Sequence, residues 1–151
     1  MLLSVHAARK VVDLVREHRR ALDAGRHPGF SARKVLRLRH EFWAALSGTD
    51  IALGATIGER LLLPHPNGVI FHEKTVIGDD CMIMQQVTLG QLGEESAPTI
   101  GSNVYIGAGA KVLGPVTIGD GAAIGANAVV LTDVPAGATA VGVPAKIVKG
   151  K

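Results

Sequence analysis

Two residues hold most of the chemical promise of this sequence. His65 stands between two prolines in LLLPHPNG, and Asp50 lies fifteen residues before it. An imidazole has an ordinary pKa near neutrality and can take a proton from a hydroxyl. A carboxylate on its far nitrogen would fix the tautomer and stabilise the imidazolium, as in triad-type sites. Pro64 and Pro66 reduce the backbone freedom around His65 and so preorganise it. Spacing alone leaves a plainer reading beside this one. His65 would then be a loop histidine bonded to backbone, and the SGTD that ends in Asp50 would simply be a turn.

The other candidates are weaker. His72 follows an apolar position where the neighbouring segments often place glycine, so it reads as an outward corner residue. His6, His18, His27 and His40 fall in the N-terminal part, with no recognisable partner. A zinc site needs about three protein ligands. The C-terminal two thirds offer only His65 and His72, so no metal is expected. Cys81 is the only cysteine; it excludes an intrachain disulfide and reads as a small buried hydrophobe. There is no P-loop lysine motif and no dinucleotide fingerprint. The GxG in GAGAKVLG falls inside a repeat that already accounts for its glycines.

The elements that would position Asp50 and His65 follow two different periods. Up to about residue 48 the period is helical. Leu3, Ala7/Ala8, Val11/Val12, Val15 and Leu22 recur at three- and four-residue steps. DAGRHPGFS interrupts them. Ser31 is placed to cap a second helix with an apolar stripe of Val35, Leu38, Phe42 and Ala45/Leu46, and Gly48 is placed to end it.

From Ile51 the period is six. Ile51, Ile57 and Leu63 begin it. Phe71, Ile77, Ile83 and Leu89 resume it, and Ile100, Ile106, Val112, Ile118, Ile124 and Val130 complete it. A small or β-branched residue follows four places later, as at Ala55, Cys81, Ala110 and Ala128. Such a repeat predicts a parallel β-helix. Each unit supplies one short strand and one corner, and three units close a triangular coil. Only small residues fit beside the stacked markers, which explains why 47% of the chain is hydrophobic but only 3% aromatic. The 19 glycines, concentrated from Gly29 onward, serve the corners. The repeat breaks twice, between Leu63 and Phe71 and between Leu89 and Ile100. Such breaks are loops on one face, often the binding face. His65 lies in the first. The expected organisation is a helical arm over 1–49, the β-helix over 50–135 and an end cap over 136–151.

The net charge of +3 resides in the arm, which has ten Lys/Arg against five Asp/Glu up to Asp50. These charges alternate with Val and Leu at helical spacing, so they read as a solvated helix face rather than a nucleic-acid surface. No run approaches the roughly 18 apolar residues of a spanning helix. Asp13 and Glu17 argue against an organelle presequence. A cytoplasmic protein with no membrane or nucleic-acid partner is expected.

Taken together, GVIFHEKTVIGDDCMIMQQVTLG, PTIGSNVYIGAGAKVLGPVTIGDGAAIGANAVVL and DVPAGATAVGVPAKIV resemble the serine acetyltransferase branch of the hexapeptide-repeat acyltransferases. The resemblance runs from Asp50 to about Gly150. It implies a left-handed β-helix, a homotrimer or a hexamer formed from two trimers, and acetyl-CoA as co-substrate in the cleft between neighbouring solenoids. It implies His65 as general base and Asp50 as its partner, with direct attack of an acceptor hydroxyl on the thioester. Backbone N–H groups from Gly90 to Gly93 would stabilise the oxyanion. CoA would lie against Gly107, Ala108 and Gly109, with Lys111 and Lys146 on its phosphates. The pathway implied is cysteine biosynthesis.

The sequence also departs from the family. DIAL, with Ala52 and Leu53, replaces the usual DIHP, and Pro64 replaces an Asp before the base. Ser96 and Ala97 stand where the family has RH. Those family residues hold the amino acid's ammonium and carboxylate, and a carboxylate binds poorly without a cation or donor cluster. A sugar or another small alcohol is therefore the alternative acceptor, and a non-catalytic solenoid assembly module is the rival of a different class. The ending VKGK lacks the Ile-terminated tail by which relatives dock to the next enzyme, so docking to a cysteine synthase is not expected.

Overall fold

The computed structural model describes residues 2–93 and 96–148. Two helices lead into a parallel β-solenoid of the left-handed type. α1 spans Leu2–Asp23 and α2 spans Phe30–Ser47. The first coil holds β1 (Asp50–Ile51), β2 (Thr56–Ile57) and a bridge at Leu62. The second holds β3 (Ile70–Phe71), β4 (Val76–Ile77) and β5 (Met82–Ile83). The third holds β6 (Thr88–Gly90), β7 (Thr99–Ile100) and β8 (Tyr105–Ile106). The fourth holds β9 (Lys111–Leu113), β10 (Thr117–Ile118) and β11 (Ala123–Ile124). β12 (Val129–Val130), β13 (Thr139–Val141) and β14 (Lys146–Val148) close the stack.

The coils stack into three sheets: β1-β3-β6-β9-β12, β2-β4-β7-β10 and β5-β8-β11-β13-β14. Pairing is parallel until β14, which turns back antiparallel on β13. Ile106 stands opposite Ile124 and Val112 opposite Val130, eighteen residues on in each case. Strands of two or three residues have little stability alone, so each coil depends on the one beside it. Every marker of the six-residue period is buried. So are the small residues four places later, including Ala55, Thr75, Cys81 and Ala110.

α1 plugs the open end of the solenoid. Ala8, Val11, Val12 and Val15 join the same core as Ile51, Ile57 and Leu63. Fully burying each valine is worth about 1.5–3 kcal/mol. Charges of the arm tether this plug. The Arg16 guanidinium donates to the carbonyls of Gly58 and Ile57, and Arg20 pairs with Glu59 at 2.7 Å. The basic arm is thus partly solvated face and partly clamp.

α2 differs from expectation in two respects. Its N-cap is Gly29, with no side-chain cap, so Ser31 lies inside the helix rather than before it. Its stripe of Val35, Leu38 and Phe42 is 56–58% exposed. The helix packs on α1 through its other side, where Trp43 and Ala44 reach the core and Trp43 meets His6 edge-on at 6.1 Å. Gly48 ends α2 as predicted, in the left-handed region at φ 70° with its N–H on the Ala44 carbonyl. His40, expected to lack a partner, bonds the Ile51 carbonyl through Nε2 at 2.8 Å and fastens α2 to β1.

Candidate active site

The edge where the third sheet turns into the first organises the site. Along it, one carbonyl per coil accepts from the next coil. Gln86 N–H donates to Asn67 at 2.9 Å, Gly109 to Gln85 at 2.9 Å and Asn127 to Ala108 at 2.8 Å. Asn67, Gln85 and Ala108 are therefore equivalent rungs. Each stands four residues before its marker, at Phe71, Leu89 and Val112. The two extra residues of the first repeat break consequently fall within Pro64–Pro66. His65 rides on a two-residue bulge that lifts its side chain into solvent, while Pro66 is buried.

Asp50 begins the strand that follows this edge. Its N–H donates to Val69 at 2.8 Å, and Gly68 N–H donates to Gly48 at 2.7 Å. The His65 turn is thereby pinned on the end of α2 and the start of β1. Both side chains are exposed, and no hydrogen bond joins the Asp50 carboxylate to the His65 imidazole in the single chain. The pair shares one corner of the prism but is not locked.

Further down the same edge lie Gly107, Ala108 and Gly109. Gly107 is buried, and a Cβ there would stand 2.6 Å from Ala126 N. Its lack of a side chain serves the close approach of the coils. Gly109 adopts φ 74°, which a side chain resists. Ala108 and Gly109 are half-buried and present a smooth shelf. Lys111 opens β9, and its Nζ donates to the Gln86 carbonyl at 2.5 Å. At the last rung, Val129 N–H donates to Gly142 at 3.0 Å and Ala145 N–H to Val129 at 2.8 Å, so the GVPA turn completes the edge. Lys146 follows it, exposed, at the start of β14. With coils about 4.8 Å apart, four rungs from Asn67 to Gly142 span about 19 Å.

The outer face of the first sheet carries a groove of about 340 Å³ beside this edge, with Asp50, Ala52, Ile70, His72, Glu73 and Gly90 in its lining. The structure thus brings Asp50 and Gly90 to one groove. Gly93, at φ 63°, lies in the loop beyond β6 and not in that lining. Glu94 and Glu95 of that loop lie outside the described residues. His72 stands at an outward corner, as expected, and opens the turn that Thr75 N–H closes on its carbonyl at 3.0 Å. What its spacing did not show is that this corner is half-buried and lines the groove. Asp50 pairs with Ile70, so residue 72 shares the outward face of Asp50. Among the described residues, no group of three or more His, Cys, Asp or Glu could hold a metal ion.

A model of the bacterial transferase hexapeptide (six repeats) matches residues 97–132. The serine acetyltransferase of Mycobacterium tuberculosis is 48% identical over 120 residues, 78% of this chain and 52% of that protein. The soybean serine acetyltransferase complexed with serine superposes with a TM-score of 0.79 at 38% identity, over 91% of this chain and 56% of that one. The chain is a hexapeptide-repeat protein of the serine acetyltransferase type. A serine acetyltransferase from Brucella abortus in complex with coenzyme A superposes with a TM-score of 0.83 at 32% identity, over 99% of this chain and 57% of that one. The chain therefore spans about half the length of the serine acetyltransferases it matches. What it shares with the two superposed structures is nearly all of its own fold, since they cover 91% and 99% of this chain.

Proposed function

We propose that this protein is a CoA-dependent O-acetyltransferase that moves acetyl from acetyl-CoA to a small hydroxyl acceptor, as serine acetyltransferases do. The observation that carries the reading is the single edge shared by the His65 bulge, the Ala108–Gly109 shelf, Lys111 and the turn before Lys146. An extended thioester laid along it, with its phosphates at the lysines, would bring its acetyl end to His65. The Brucella relative in complex with coenzyme A supports acetyl-CoA as the co-substrate.

In the reaction, the His65 imidazole takes the proton of the acceptor hydroxyl. The oxygen attacks the thioester carbonyl, and backbone N–H groups from Gly90 to Gly93 hold the oxyanion. Collapse breaks the C–S bond, and the imidazolium returns its proton to the leaving thiolate. Asp50 stabilises the imidazolium once substrate draws the pair together.

L-serine is the first acceptor to test, since the soybean relative is complexed with it. A second reading rests on the groove. Its lining holds two carboxylates and, among the described residues, no lysine or arginine. That favours an uncharged sugar or small alcohol over an amino acid carboxylate.

A homotrimer buries the solenoid faces, and pairing of two trimers through the exposed α2 stripe would give a hexamer. No helix among the described residues is long and apolar enough to cross a membrane, and the cytoplasm is the proposed location. Docking to a cysteine synthase is not proposed; the tail at 149–151 lies outside the described residues.

The test is CoA release from acetyl-CoA with L-serine beside a panel of sugars and small alcohols, using His65→Ala as control. Turnover that depends on His65 supports the reading. CoA binding without turnover on any acceptor would leave the non-catalytic assembly module.

A further inference from the structure

The departures of this sequence leave the acceptor with few recognisable partners, and His72 stands where one is needed. It follows β3 on the outer face of the first sheet, two residues beyond Ile70. Ile70 pairs with Asp50 on one side and Thr88 on the other. By the same register His72 lies between Ala52 and Gly90. Its own N–H is used, donating to the Leu89 carbonyl at 2.9 Å. The neighbours across both strand gaps are thus an alanine and a glycine, and the imidazole has open groove on either side.

The ring's tautomer is set as well. The backbone N–H of Lys74 donates to His72 Nδ1 at 3.2 Å. Nδ1 must therefore offer its lone pair, and the neutral ring carries its proton on Nε2. A half-buried imidazole with one nitrogen occupied by backbone presents the other as a fixed hydrogen-bond donor. The groove's other polar side chains, Asp50 and Glu73, are carboxylates and only accept when ionised.

We propose that His72 is an acceptor-binding residue, whose Nε2–H donates to an uncharged oxygen of a hydroxyl-rich acceptor lying in the groove beside Asp50. The role rests on the acetyltransferase reading and adds the acceptor's chemistry to it. A polyol or sugar meets a donor at His72 and acceptors at the two carboxylates. A free carboxylate meets one neutral donor against two like charges. Sites built to hydrogen-bond a substrate oxygen discriminate strongly, because losing the contact leaves a desolvated group unpaired.

The experiment has two arms on the full chain. In the first, histidine labelled with nitrogen-15 reports the ring tautomers by NMR in the absence of substrate. The Nε2–H form at His72, assigned by its loss in His72→Ala, is expected; the Nδ1–H form would overturn the proposal. In the second, His72→Ala raises KM for the acceptor at least tenfold, with KM for acetyl-CoA within twofold, and His72→Gln, which restores an N–H at similar reach, recovers most of the loss. An active wild type whose acceptor KM ignores His72→Ala overturns this role alone. A wild type that transfers acetyl to nothing overturns the transferase reading and the role with it. Preference for L-serine over every uncharged acceptor overturns the acceptor class.

Discussion

The backbone N–H of Asp50 donates to the carbonyl of Val69 at 2.8 Å, and that bond closes the turn carrying His65 onto the strand carrying Asp50. With the bond from Gly68 N–H to Gly48 at 2.7 Å it holds the two residues at one corner, and no hydrogen bond joins their side chains. In the proposed reaction, substrate would have to draw the imidazole toward the carboxylate to complete a dyad.

His65→Ala should lower kcat/KM by about 10²–10⁴, and Asp50→Asn should have a smaller effect. The double variant should resemble His65→Ala, because residues acting as one unit are not additive. Multiplicative losses in steady-state kinetics would show that the two act separately.

Saturating CoA should raise the melting temperature. At a hundredfold excess over Kd, linkage gives about 2.7 kcal/mol, which for a chain of this size is roughly 5–10 °C. Lys111→Ala and Lys146→Ala should each weaken CoA several-fold, and less so as salt is raised. Titration calorimetry at two ionic strengths checks this; affinity indifferent to both lysines would move the phosphates elsewhere.

Gly107→Ala should cost about 1–3 kcal/mol by overpacking, since its Cβ would stand 2.6 Å from Ala126 N and 2.9 Å from Gly125 C. Urea unfolding measures it. An unchanged midpoint would mean that the coils can separate at that corner.

Val11→Ala and Val15→Ala should each destabilise the protein by about 2 kcal/mol, because both valines are 0% exposed against the first coil. If α1 were instead a loosely attached arm, neither change would move the denaturation midpoint.

Burial pushes the Cys81 thiol up, and its Sγ donates to the Gly101 carbonyl at 3.1 Å. A group whose folded pKa is raised adds stability that is complete below its unfolded value, about 8.5 for a thiol. That contribution is lost as pH rises through the folded value. Stability should therefore decline in the alkaline range above about 8.5, less so in Cys81→Ala. At pH 8 a disulfide reagent should modify Cys81 only after denaturation; rapid labelling of the native protein would contradict the burial.

Much of the fold was legible in particular residues. The six-residue spacing from Ile100 to Val130 implied that each marker points inward, and each is buried. The break between Leu63 and Phe71 marked a bulge, and the bulge falls on His65. The α2 stripe was legible as apolar but not as uncovered. Periodicity reports which residues share a face and says nothing of whether a partner covers it. His72 was legible as an outward corner but not as a groove residue, because its neighbours there, Ala52 and Gly90, are eighteen or more residues away in sequence.

The sequence by itself determined the direction of each side chain along the solenoid, because a strand of fixed parity and a corner of fixed length leave no other choice. Tertiary structure alone decided which rungs meet. The pitch of the coil sets Asp50 beside Ile70, lines up His65 with Ala108 and Lys111 on one edge, and places α1 over the open end. Those contacts depend on how many residues each coil consumes, and the two insertions change that number in ways no local pattern records.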